Sequence, residues 1–164
     1  MVASDVWGPG PFDNAIAQTW AFKLKTEHTS KIVPQLVHRF GKSARGAEDA
    51  LEIVALAEFW NLVAGHSPHA SACPLLIDWV VTQKIKPLGE GALHGAPARL
   101  REIAADAKVA KLFGKMGAAW RSEVEQTAKS IEAGKKPRPV KPDAIAIKTL
   151  KTVIGNFGWE PEML

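Results

Sequence analysis

No disulfide can form within this chain, because Cys73 is the one cysteine among its 164 residues. That excludes the small secreted scaffold held by cystine bridges and fits a reducing compartment. No run of about 18 apolar residues, the length that spans a bilayer, occurs in the sequence. Residues 1–5 carry neither the basic nor the apolar region of a secretory leader. The expected localisation is therefore cytoplasmic, with no membrane partner. Tyrosine is missing altogether, so the aromatic content of 7% comes from six tryptophans and six phenylalanines. No phosphate-binding loop or dinucleotide fingerprint is present, since the Gly8/Gly10 pair follows no predicted strand, and no cofactor is expected.

What the chain does have is ordinary globular composition, 46% hydrophobic and 23% charged, which excludes disorder throughout and gives enough apolar area for one packed core. The net charge of +4 is uneven: residues 1–82 hold six Lys/Arg against eight Asp/Glu, and residues 83–164 hold fifteen against nine. A basic half can attract acidic proteins or nucleic acid. Lysines scattered over solvated helix faces are the commoner case, so nucleic acid is not the favoured partner.

Apolar spacing predicts helices along the whole chain. Trp7-Gly8-Pro9-Gly10-Pro11-Phe12-Asp13-Asn14 is a stiff loop leading into a helix, with Asp13 placed as its N-cap and Ile16, Trp20 and Leu24 on one stripe. A second helix is expected from about residue 29 or 30 through Phe40, with Pro34 tolerable only in its first turn. Residues 47–64 start with Glu48, Asp49 and Glu52, and from Ile53 onward only Glu58 and Asn61 are polar. A helix apolar nearly all round belongs at the centre of the fold. Gly65 should stop it.

The run from Pro74 to Val81 is short enough to be read as strand or helix, and helix is preferred because no second strand exists to pair with it. One helix is then expected to carry Leu100, Ile103, Ala107 and Ala110, and another Trp120, Val124, Ala128 and Ile131. Residues 134–142, with Pro137, Pro139 and Pro142 among lysines, read as an extended basic linker. Residues 143–164 read as a last helix docking on the 1–133 domain. The expected fold class is an all-α bundle of five to seven helices around the helix over residues 50–64.

The pattern Trp7-Gly8-x-Gly10-x-Phe12-Asp13-Asn14, followed by Trp20, resembles the opening of the bacterial family catalogued as domain of unknown function 4259. The Ala55-Leu56-Ala57-Glu58 stretch is similar to that family's central helix, and residues 112–120 to its later tryptophan-bearing segment. The resemblance covers about residues 6–133 and departs at Ala15, where the family has an acidic residue. It implies a compact helical domain, a small stand-alone protein of the kind found as toxin neutralisers, and it supplies no catalytic residues.

Three groups of residues could carry chemistry. Glu58 is a carboxylate in an apolar helix, and a buried charge must be paired or hydrogen-bonded. The expectation is structural: Glu58 accepts from tryptophan indoles or from backbone N–H groups of residues 8–12, clamping the motif residues Trp7, Gly8, Gly10, Phe12, Asp13 and Asn14 onto the core. The alternative makes Glu58 and Asp13 catalytic or metal-binding. The second group, His66, His69 and Cys73, offers soft ligands on one segment, but zinc sites commonly draw closely spaced pairs from two elements, so no metal is expected. Third, Cys73 before Pro74 could be an activated thiol at a helix start with His66 or His69 as base. It lacks any visible orienting group.

None of these meets the requirements of a catalytic site, so the expected function is non-enzymatic. The chain reads as a small protein-binding domain, an immunity or antitoxin-type inhibitor that occludes a partner protein. Trp7 and Trp159 near the two ends, with Lys135, Lys136 and Arg138 of the linker, are the expected partner-binding residues. The alternatives are an enzyme or metal-binding protein using Glu58/Asp13 or the His66-His69-Cys73 loop, and a nucleic-acid binder using the basic C-terminal half.

Overall fold

The computed structural model describes residues 6–27, 33–65, 73–88 and 91–133. The expected linker, the last helix, Trp159 and the basic residues Lys135, Lys136 and Arg138 lie outside them, as do His66 and His69.

The fold is all-α. Helices α1 (Ala15–Glu27), α2 (Ala47–Val63), α3 (Pro74–Thr82), α4 (Ala96–Ala105), α5 (Ala107–Lys111) and α6 (Gly117–Glu132) are joined by 3-10 helices at Val33–Gly41 and Gly114–Met116. α2 is the centre. It packs against α1, α3, α4, α5, α6 and the Val33–Gly41 helix. Every residue from Ile53 to Val63 is buried, Glu58 and Asn61 included, as expected of a helix without a polar face. Gly65 follows at φ +80°, a left-handed conformation that costs glycine nothing and ends the helix.

Aromatic packing fixes the neighbours of α2. Phe59 is completely buried and meets Trp20 of α1 edge-on at 6.3 Å and Trp79 of α3 at 6.1 Å between ring centroids. Burying such a side chain contributes about 1.5–3 kcal/mol, and the edge contacts add to it. On the other side Trp120 of α6 stacks on Phe113 at 4.8 Å. The Trp120, Val124 and Ala128 stripe is fully buried, with Ile131 packed against the core. α4 and α6 form the most extensive helix pair. Arg101 of α4 bridges its solvent edge by donating to Glu125 at 3.0–3.2 Å and to Glu132.

Of the second helix the structure describes a 3-10 helix over Val33–Gly41, and its expected start at residue 29 or 30 lies outside the described residues. Two boundaries differ from the sequence expectation. The single helix expected through Leu100 and Ala110 is broken at Asp106, whose backbone is extended (φ −77°, ψ 110°) and whose carboxylate caps α5 by accepting from Lys108 N–H at 2.9 Å. The cap of α1 is Asn14 and not Asp13: Ala17 N–H donates to Asn14 Oδ1 at 2.8 Å. Asp13 has another task in the loop before the helix.

Candidate functional site

The entry loop, residues 6–14, closes on itself. Val6 and Asn14 form an antiparallel bridge, Trp7 N–H donates to Asp13 O at 3.0 Å, and Asp13 N–H donates to Gly10 O at 3.1 Å. The Asp13 carboxylate then turns back to accept from Gly10 N–H at 2.9 Å. This packs it so tightly against residue 8 that a Cβ there would lie 2.5 Å from Asp13 Oδ2, which is why that position is glycine. From α1, Gln18 Nε2 donates to Phe12 O at 2.8 Å and ties the loop to the helix.

The loop sends its two aromatics in opposite directions. Phe12 is 0% exposed and belongs to the core, whereas Trp7 is 58% exposed. The backbone of Trp7 is pinned while its indole stands in solvent. Phe22 of α1, also 58% exposed, is the other large apolar side chain left open among the described residues. Periodicity gave no reason to single it out as a contact residue, although its place off the Ile16, Trp20 and Leu24 stripe is visible in the sequence.

Glu58 is 1% exposed, and the donor to its Oε2 is Thr127 Oγ1 of α6 at 2.9 Å. Asn61, one turn on, donates through Nδ2 to Thr127 O at 3.5 Å. Of the expected donors, the N–H of Gly10 goes to Asp13, and the buried indole N–H groups of Trp60 and Trp120 have no hydrogen-bond partner among the described residues. α2 meets α6 at Glu58, whose Oε2 accepts from a hydroxyl 69 residues away. Glu58 therefore fastens α2 to α6.

Cys73 precedes α3 and is fully buried, with its Sγ 3.8 Å from Gln18 Oε1. Burial pushes its thiol up to about 11, so the activated thiolate considered from the sequence is not formed at neutral pH. Gln18 thereby touches both the entry loop and the start of α3. With His66 and His69 outside the described residues, their pairing with Cys73 has no geometry here. Among the described residues no group of three or more His, Cys, Asp or Glu side chains could hold a metal ion, and no helix is long and apolar enough to cross a membrane.

The class defined by these features is an all-α bundle whose buried polar groups fasten helices and whose entry loop presents one aromatic to solvent. Comparison with protein-family models, with curated proteins and with solved structures gives no match to this chain.

Proposed function

We propose that this chain is a non-enzymatic protein-binding domain of the immunity or antitoxin-inhibitor type, working in the cytoplasm by covering the active surface of a partner protein. The observation that carries the reading is Trp7, an exposed indole on a backbone already fixed by the Val6/Asn14 bridge and the Asp13 bonds. Tryptophan is the side chain most enriched at binding hot spots. A pre-fixed loop avoids the ordering cost of about 0.5–1.5 kcal/mol per side chain that a mobile one would incur on binding. An interface of about 800 Å² per side is sufficient for a stable complex.

The same loop motif supports placing the chain in the domain of unknown function 4259 family. Trp7 lies in the half of the sequence that holds more acidic than basic residues, which favours a partner with a basic face. Trp159, Lys135, Lys136 and Arg138 are the further contact residues proposed from the sequence.

Co-purification from the native host identifies the partner by mass spectrometry, and titration calorimetry with the purified partner then compares wild type with Trp7→Ala. Because the indole is exposed, the variant keeps its melting temperature, while affinity falls by about 30-fold, the loss of a 2 kcal/mol hot spot. A partner that binds Trp7→Ala as tightly as wild type refutes the anchor. A purified chain that carries metal or nucleic acid and no protein refutes the function.

A further inference from the structure

We propose that the corner where α5, the Gly114–Met116 helix and the start of α6 meet docks an acidic amphipathic segment of a partner protein. Carboxylates of that segment meet Lys108, Lys111, Lys115 and Arg121, and its apolar side chains cover Leu112 and Met116. Residues 107–122 contain these four cations and no aspartate or glutamate. All four side chains are exposed, and none forms an ion pair among the described residues. Asp106 and Glu123 border the stretch, and with both counted against it a surplus of two positive charges is left. The carboxylates farther along α4 and α6, Glu102, Glu125 and Glu132, are balanced by Arg99, Arg101 and Lys129.

The turns gather these side chains at one corner. Lys108, Lys111 and Leu112 are spaced i, i+3, i+4, so they share the face of α5 turned away from the buried Val109 and Ala110. Phe113 N–H donates to Ala110 O at 3.0 Å and Met116 N–H to Phe113 O at 2.9 Å, two tight turns that fold the chain back through Gly114 at φ +53°. α6 then starts directly against α5, since a Cβ on Gly117 would lie 3.2 Å from Ala110 O. Arg121 follows one turn later on the same face of α6 as Gly117 and so borders the same corner. Beneath it Trp120 stacks on Phe113, which fixes the backbone that carries the cations before a partner arrives.

The apolar side chains select the occupant. Leu112 and Met116 are half-buried against the core, each next in sequence to a lysine of the cluster. Such shallow apolar ground is of no use to a phosphate backbone, whereas it fits the apolar face of an amphipathic segment whose acidic face meets the cations. The large apolar side chains that could wedge into a bilayer or stack on a base, Trp7 and Phe22, lie on the entry loop and α1. α1 packs on α2 and α3, while α5 and α6 pack on each other and on α2 and α4, so this surface is separate from the Trp7 anchor and does not rest on it.

The test is fluorescence anisotropy of the full chain at low ionic strength with a labelled glutamate–leucine peptide whose leucines repeat at helical spacing. A scrambled peptide of the same composition and a short DNA duplex are run beside it. The expected result is saturable binding of the amphipathic peptide, weakened about tenfold by Lys111→Glu/Lys115→Glu and about threefold by Met116→Gln. Met116→Leu, the remote pair Lys23→Glu/Lys86→Glu and Trp7→Ala leave it unchanged. Both charge-reversed pairs fold, because all four lysines are exposed. No saturation, or equal loss in the two pairs, overturns the site. Equal binding of the scrambled peptide overturns the amphipathic reading, and loss in Trp7→Ala overturns the separation of the two surfaces. A duplex that binds more tightly than the peptide and loses affinity in Lys111→Glu/Lys115→Glu overturns the proposal in favour of nucleic acid.

Discussion

Replacing Gly8 by alanine tests the entry loop at its tightest point. An alanine Cβ would sit 2.5 Å from Asp13 Oδ2 and 2.9 Å from Cγ, closer than carbon tolerates, so the carboxylate must leave. In leaving, it gives up the 2.9 Å bond from Gly10 N–H, a hydrogen bond to a charged group. The expected cost is about 1.5–3 kcal/mol. For a chain of this size that lowers the melting temperature by about 3–12 °C. Alanine brings no backbone strain of its own here and slightly restricts the unfolded chain, so the whole penalty comes from Asp13. In an Asp13→Ala background the carboxylate is gone and the nearest remaining neighbour is a Cβ at 3.0 Å, which a shift of a few tenths of an ångström relieves. There the same substitution should cost less than about 1 kcal/mol, a coupling of about 1–2 kcal/mol between the two positions. Urea unfolding of the four proteins, followed by far-UV circular dichroism, measures it. If the two costs add to within about 0.5 kcal/mol, the packing of Asp13 on Gly8 is not what this glycine is for.

The remaining predictions concern the polar contacts of α6. Thr127→Val keeps the shape of the side chain but removes the hydroxyl from Glu58 Oε2; it should destabilise by about 1–3 kcal/mol in urea, while Thr127→Ser stays closer to wild type. A valine variant as stable as wild type would show that Glu58 does not depend on this donor. The bonds from Arg101 hold the Glu125 and Glu132 carboxyls below their usual 4.5, so their contribution is complete above that pH and disappears as pH falls through the lowered values. The gap in urea midpoint between wild type and Arg101→Gln should therefore be widest at neutral pH and shrink as pH falls below 4.5. An unchanged gap at both ends would disprove the linkage.

Much of the scaffold was legible because it follows from periodicity. The all-round apolarity of α2, the stop at Gly65, the proline start of α3 and the Trp120, Val124, Ala128 stripe all appear where the pattern puts them. The misplaced boundaries share a cause: local rules offered two acceptable answers and tertiary contacts chose between them. Asp13 and Asn14 are both good caps, and Asp13 was drawn instead to Gly10. The apolar pattern runs on through Val109 and Ala110, so it hides the break at Asp106, although an aspartate followed two residues later by a free amide is a cap signal that was there to be read. The bond from Thr127 to Glu58 was not legible, since no local spacing connects the two residues. The one available clue was that Thr127 is a polar residue beside the buried Val124 and Ala128, and buried polar groups must be matched with one another. The contact of Cys73 Sγ with Gln18 Oε1 likewise joins residues 55 positions apart.

The self-closing loop also bears on how the molecule assembles. Each of its bonds joins residues no more than eight positions apart, from Val6/Asn14 to Gln18 and Phe12. Short-range closures of this kind form on the fastest timescales open to a polypeptide. Closing so short a segment costs little chain entropy, so the loop adds a small entropic penalty to the burial of Phe12 in the core.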